Sequence, residues 1–218
     1  MTKNWMYQRR RSALIDDLRE KGISEERILE AMGRVARHKF MEDALMSRAY
    51  EDEALPIGLK QTISQPFTVA YQSMLLNPEP DEKILEIGTG SGYQAAVLCE
   101  LGARVFTIER LGPLFDRTAV LLKTLGYRAV TRLGDGTRGW ESVAPFDGII
   151  VTAGATDVPK KLLDQLKLPS DGRPGGRLII PVGGSESQKM LRIRRTGKET
   201  FETEELDGFR FVPLVADS

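Results

Sequence analysis

The chain has 218 residues, 41% of them hydrophobic and 28% charged, and its 31 basic and 31 acidic residues balance to a formal net charge of zero. That length suits a single hydrophobic core, the composition excludes a disordered or fibrous chain, and the balanced charge leaves no basic footprint for nucleic acid or an anionic membrane. One cysteine, Cys99, excludes an internal disulfide, and one cysteine with one histidine, His38, cannot build a usual zinc site, so no metal is expected.

In the first twenty residues Arg9, Arg10, Arg11, Asp16, Asp17, Arg19 and Glu20 interrupt the apolar stretch that a secretory signal needs, and no segment reaches transmembrane length. A soluble cytoplasmic monomer, without membrane or nucleic-acid partners, is the expectation. Leu14, Ile15 and Leu18 share one helical face that stops at Gly22. Ser24 is placed to cap a second helix, with Glu25 and Glu26 in its first turn and Ile28, Leu29 and Met32 as its apolar stripe. Leu55-Pro56-Ile57-Gly58 reads as a loop of turn formers, and Pro66 suits the first position of a third helix carrying Val69, Ala70, Met74 and Leu75.

From Lys83 onward short apolar or β-branched runs alternate with helical stretches, the pattern of a parallel α/β sheet. Strands are expected at 83–87, 104–108, 129–133, 148–151 and 177–181, with crossover helices at 93–101, 113–125 and 159–166. Two further strands, 189–195 and 209–215, are expected to close one edge in antiparallel fashion. The whole chain is expected to form one domain, with a helical, substrate-facing part at 1–80, a cofactor-binding core at 81–184 and C-terminal strands at 185–218.

Directly after the first expected strand stands Glu86-Ile87-Gly88-Thr89-Gly90-Ser91-Gly92, leading into a helix. Glycines at 88, 90 and 92 let backbone approach a ligand closely, and the helix that follows offers unpaired N–H groups. A dinucleotide fingerprint would place its third glycine at the position of Tyr93, so the spacing is that of class I methyltransferases rather than of nicotinamide enzymes. Glu109 ends the second strand, where a carboxylate can accept from both ribose hydroxyls of an adenosine. Asp135, in Gly134-Asp135-Gly136 after the third strand, lies on the same rim and can accept from an adenine amino group or simply form an Asx turn.

Taken with Thr62-Ile63-Ser64-Gln65-Pro66, Pro145-Phe146-Asp147, Pro174-Gly175-Gly176-Arg177-Leu178 and Arg210-Phe211-Val212-Pro213-Leu214, these motifs resemble the protein-L-isoaspartate O-methyltransferases along nearly the whole chain. The Thr-Ile-Ser-Gln-Pro segment and the Arg-Phe-Val-Pro-Leu ending are its most family-specific parts. The resemblance implies a Rossmann-like class I sheet, mostly parallel with antiparallel C-terminal edge strands and N-terminal helices. It also implies S-adenosyl-L-methionine as cofactor, S-adenosyl-L-homocysteine as product, and isoaspartyl peptides and age-damaged proteins as substrates. By the same resemblance Ser64 is the catalytic candidate, although a serine there can also serve as N-cap of the helix at Pro66. The cofactor would touch Thr62, Ile63, Ser64, Gln65, Glu86, Gly88, Thr89, Gly90, Ser91, Gly92, Glu109, Asp135 and Gly136, and the substrate peptide Leu55, Pro56, Ile57, Val212, Pro213 and Leu214. The acceptor would be the free α-carboxylate of isoaspartate, whose methyl ester cyclises to a succinimide. A carboxylate is already ionised at neutral pH, so no strong base is required, and His38 is expected to be structural.

One departure from the family pattern is the long stretch Leu168-Pro169-Ser170-Asp171-Gly172-Arg173 before Pro174. Three other readings differ in class: a class I methyltransferase with a small-molecule or RNA acceptor, a nicotinamide-dependent oxidoreductase, and a silent binding protein that keeps the cofactor pocket.

Overall fold

The computed structural model describes residues 2–170, 172–184 and 186–216. Helices α1 (Thr2–Glu20) and α2 (Glu26–Arg34) come first, followed by short 3-10 turns at Arg37–Phe40 and Asp43–Arg48. Strands β1 (Leu55–Gly58) and β2 (Gln61–Ile63) pair as a small antiparallel hairpin, and α3 (Pro66–Leu76) leads from it into the main sheet. That sheet then alternates with helices: β3 (Lys83–Ile87), α4 (Tyr93–Glu100), β4 (Arg104–Glu109), α5 (Gly112–Thr124), β5 (Val130–Leu133), β6 (Gly148–Val151), α6 (Lys160–Asp164) and β7 (Arg177–Gly183). β8 (Gln188–Arg195) and β9 (Phe201–Phe209) complete it.

The seven strands lie in the order β5-β4-β3-β6-β7-β8-β9, parallel from β5 through β7 and antiparallel across β7, β8 and β9. β3 and β6 are buried along almost their whole length because the sheet is covered on both faces. Alternation along the strands sends Ile84, Val105, Ile150 and Ile179 to the face covered by α3, α4 and the N-terminal helices. Leu85, Ile87, Ile149, Val151, Leu178 and Ile180 go to the other face, against Leu162 of α6 and Phe146. The first face is continuous with Leu14 and Leu18 of α1 and Ile28, Leu29 and Met32 of α2, so the amino-terminal helices share the core of the sheet.

Four expectations need correction. Ser24 does not cap α2: the cap position is Glu25, which makes no side-chain capping bond, and the Ser24 hydroxyl lies against the Met74 sulfur. Residues 55–58 are a strand rather than a loop, since the positive φ angles begin only at its last residue, Gly58, and continue at Leu59 and Lys60. Residues 201–209 form the edge strand, whereas 210–216 run as an irregular segment. The edge strand has no apolar alternation to betray it, because it is held to β8 by ladder bonds and cross-strand charge pairs such as Arg192 with Glu204. The last crossover helix is also shorter than expected, five residues from Lys160. The long stretch before Pro174 holds a local turn in which Ser170 and Arg173 exchange backbone bonds, with Asp171 outside the described residues. Among the described residues no helix is long and apolar enough to cross a membrane.

Candidate active site

β3 sits in the middle of the sheet between β4 and β6, so the chain leaving its carboxyl end enters the crevice where crossovers diverge to opposite sides. The glycine turn fills that position. Gly88 N–H and Thr89 N–H both donate to Ile108 O, at 2.9 and 3.2 Å, which extends the β3–β4 pairing into the turn. Gly88 has φ +94°, and a β-carbon there would lie 2.7 Å from Oγ1 of Thr152, whose hydroxyl donates to Gly88 O at 2.7 Å. At Gly90 a β-carbon would meet nothing closer than 3.9 Å, so its missing side chain leaves backbone bare toward the cleft.

Glu109, at the end of β4, is buried and accepts from Gly90 N–H and Leu111 N–H, both at 2.9 Å. These two bonds fix the carboxylate on the cleft wall and leave lone pairs for further donors, since an ionised carboxylate has about four acceptor sites. Beneath the turn, Thr107 Oγ1 donates to Glu86 Oε2 at 2.6 Å and lies 2.6 Å from Thr89 Oγ1. Glu86 is fully buried, and its other oxygen, Oε1, has no partner among the described residues. Burial pushes the Glu86 carboxyl up to about 8; the Thr107 bond opposes that rise and the negative charge of Glu109 adds to it. A buried acceptor without a donor is costly, and here it lines the cleft beside the turn, where a donor on a ligand could satisfy it.

The opposite wall comes from two separate segments. Thr62, Ile63 and Ser64, at the end of β2, face the turn across the cleft. The carboxy-terminal segment is tied over the loop after β6 by Gly154 N–H to Val212 O and Leu214 N–H to Gly154 O, each 2.7 Å, and this brings Val212, Pro213, Leu214 and Val215 to the same cleft. The cap position of α3 is Gln65, so Ser64 stands one residue outside the helix and is not committed to it.

Of the expected cofactor residues, Thr62, Ile63, Ser64, Glu86, Gly88, Thr89, Gly90, Ser91, Glu109 and Gly136 line this single cleft. Three do not. Gln65 turns its amide away to Asp52, 3.1 Å distant. Gly92 caps α4 with φ +84°, and a β-carbon there would lie 2.7 Å from Thr118 and 3.2 Å from Leu122 of α5, so its glycine serves helix packing. Asp135 is engaged locally, accepting from the Thr137 N–H at 2.8 Å and hydroxyl at 2.7 Å, in the Asx turn that was the other reading of its sequence. Of the expected substrate residues, Val212, Pro213 and Leu214 reach the cleft, whereas Leu55 and Ile57 are buried in the core and Pro56 between them is exposed.

Thr152, Gln94 and Tyr93 also line the cleft and were not singled out from sequence. The rule that ligands gather at strand carboxyl ends would have pointed to Thr152, which follows β6. Nothing local points to Gln94, whose Nε2 donates to Ser73 Oγ at 2.9 Å from an adjoining helix. His38 lies elsewhere, stacked on Tyr7 at 4.0 Å and hydrogen bonded to Tyr50, with burial holding its pKa below the ordinary value. The ionisable groups in the cleft are thus Glu86, Glu109, Arg110 and Tyr93, a set suited to holding ligand hydroxyl and amino groups.

Comparison with known proteins agrees with this architecture. The family model described as protein-L-isoaspartate(D-aspartate) O-methyltransferase matches residues 9–218. A protein-L-isoaspartate O-methyltransferase of Salinibacter ruber is 61% identical over 213 residues, covering 96% of this chain and 93% of its own. A solved protein-L-isoaspartate O-methyltransferase superposes with a TM-score of 0.82 at 27% identity, over 93% of this chain and 65% of that longer one. A Plasmodium falciparum structure, described as a putative member in complex with S-adenosyl-L-homocysteine, shares the fold with a TM-score of 0.79 at 24% identity, over 94% of this chain and 98% of its own. The chain belongs to the protein-L-isoaspartate(D-aspartate) O-methyltransferase family.

Proposed function

We propose that this protein transfers a methyl group from S-adenosyl-L-methionine to the free α-carboxylate of isoaspartyl residues in damaged proteins and peptides, beginning their repair. The observation that carries the reading is the meeting of Ser64 and the Val212–Pro213–Leu214 segment with the glycine turn in one cleft. The glycine turn and Glu86 would hold the amino-acid end of the cofactor, its ammonium being a natural donor for the unpartnered Glu86 Oε1, and Glu109 would hold the ribose hydroxyls. When bound, S-adenosyl-L-methionine supplies an activated methyl group and leaves as S-adenosyl-L-homocysteine.

The protein's own residues have little proton transfer to perform, because the acceptor carboxylate is ionised at neutral pH. Their work is alignment and exclusion of water. Ser64 donates to the acceptor carboxylate and orients it, with Thr62 two residues before it in β2. The carboxy-terminal segment covers the mouth and presents backbone to an extended peptide, a mode that tolerates many flanking sequences. The amino-terminal helices, the α/β core and the last strands act as one domain, in keeping with the core shared between α1, α2 and the sheet.

The test is transfer of labelled methyl from S-adenosyl-L-methionine to an isoaspartyl peptide, beside the same peptide with normal aspartate. Base-labile label on the isoaspartyl form alone is the expected result. Cofactor binding without transfer to either peptide would sink the assigned acceptor and leave the fold and family standing.

A further inference from the structure

The segment that carries Ser64 needs something to hold it, and its own sequence provides no cap. α3 opens at Pro66, which has no N–H, and Gln65 makes no side-chain capping bond, so Phe67 N–H is the first donor to need a partner. That partner is Asp52, fifteen residues upstream, whose Oδ1 accepts from Phe67 N–H at 2.8 Å. Its second oxygen, Oδ2, accepts from Gln65 Nε2 at 3.1 Å and from Lys21 Nζ at 2.8 Å. One carboxylate therefore grips the chain on both sides of Pro66, immediately after Ser64, and its side chain is only 11% exposed. A carboxylate at the start of a helix is also favoured by the helix dipole.

Asp52 is in turn held from below. The guanidinium of Arg37, fully buried, donates to Ala49 O at 2.9 Å and to Glu53 O at 3.3 Å, the carbonyls that bracket Asp52 in the chain. The same guanidinium lies 4.8 Å from the centre of the Tyr93 ring, and Tyr93 both lines the cleft and opens α4 directly after the glycine turn. Arg37 thus touches the glycine-turn wall on one side and the Asp52 loop on the other. The two walls of the cleft, distant in sequence, share one buried cation.

We propose that Asp52 is a positioning residue for methyl transfer: it fixes Gln65 and the start of α3, and so sets the Ser64 hydroxyl opposite the glycine turn, while Arg37 keeps the Asp52 loop in register with that turn. The inference rests on the reading that Ser64 orients the acceptor carboxylate. Asp52 itself does not line the cleft.

The test is a double-variant cycle with Asp52→Ala, Ser64→Ala and the pair together, plus Asp52→Asn. It reads kcat and KM for an isoaspartyl peptide, the dissociation constant of S-adenosyl-L-homocysteine, and thermal melting. Asp52→Ala should lower kcat by about ten- to a hundred-fold, the sensitivity expected of an alignment step, with product affinity changed by less than about threefold. Asp52→Asn should recover most of kcat, because the amide oxygen still accepts from Phe67 N–H and the exposed pairing with Lys21 is weak. In the Ser64→Ala background Asp52→Ala should cost little more, since its effect passes through the missing hydroxyl.

The same loss from Asp52→Ala in both backgrounds would overturn the inference and assign Asp52 to general stability. Wild-type kcat in Asp52→Ala, with Ser64→Ala slow, would overturn it while leaving the assigned role of Ser64 intact. Wild-type turnover in Ser64→Ala would remove that role and the inference together. Should Asp52→Ala fail to fold, Asp52→Ser runs the same cycle, since it keeps a hydroxyl for Lys21 and water but loses the second oxygen.

Discussion

Glu86 and Glu109 end neighbouring parallel strands, yet their surroundings give them different parts. Glu109 has two backbone donors, whereas Glu86 has one hydroxyl donor and an oxygen without a partner among the described residues. Glu109→Gln should weaken cofactor binding by about 1.5–3 kcal/mol, the range for hydrogen bonds to a charged group, which titration calorimetry would read directly. For Glu86 the consequence is a pH dependence of stability. Its folded-state pKa, about 8, stands above the ordinary 4.5, so the folded protein binds the proton more tightly than the unfolded chain and stability falls as pH rises through that interval. His38 acts in the opposite sense, since burial lowers its pKa and its contribution grows as pH rises toward the ordinary value. Comparing Glu86→Gln with the parent isolates the first effect: chemical denaturation of the variant should show a flatter decline between pH 4.5 and about 8. Identical slopes would mean that Glu86 is hydrated or ionised in the folded protein. At this scale the places of Ser64, Gly88, Gly90 and Glu109 on the cleft were legible because motif and strand end coincide. The protonation of Glu86 was not, because it depends on what surrounds the carboxylate in three dimensions.

Among the elements, the glycine turn shows how one motif serves two purposes. Gly88 and Gly90 shape the cleft, while Gly92 lets α4 lie against Thr118 and Leu122 of α5. Gly92→Ala combines an unfavourable φ with a clash and should destabilise the fold by about 2–4 kcal/mol, measurable from the denaturant midpoint. The fraction that remains folded should bind S-adenosyl-L-homocysteine as the parent does, and a large loss of affinity at unchanged stability would restore Gly92 to the cofactor site. The carboxy-terminal strands teach the converse lesson. A parallel strand inside the sheet announces itself as a short apolar or β-branched run, as 148–151 does throughout and 83–87 does around its buried Glu86. An edge strand needs only ladder bonds and cross-strand pairs, so the acidic sequence at 201–209 carried no signal, and the more apolar 209–215 looked like the better strand. Val212, Pro213, Leu214 and Val215 line the cleft instead.

For the molecule as a whole, the amino-terminal helices must be held to the sheet if the two walls of the cleft are to keep their spacing. Arg177, at the start of β7, is the clearest tie. Its guanidinium donates to Leu76 O and Asn77 O at the end of α3, to both oxygens of Glu82, and to Asp147 O. Arg177→Ala removes the guanidinium from these mostly part-buried acceptors and should cost about 1–3 kcal/mol, seen as a lower urea midpoint. By itself the sequence determined the alternation of strands and helices, the place of the glycine turn, the acid at the end of β4 and the family, because these depend on periodicity, φ preferences and contiguous motifs. Only the tertiary structure decided that Asp52 holds the first free N–H of α3, that Leu55 and Ile57 turn inward, that Asp135 closes its own turn, and that Val212, Pro213, Leu214 and Val215 line the cleft rather than the sheet. Each of those outcomes is set by partners far away in the chain, and a hydrogen bond or a buried face reached across tens of residues leaves no local pattern to read.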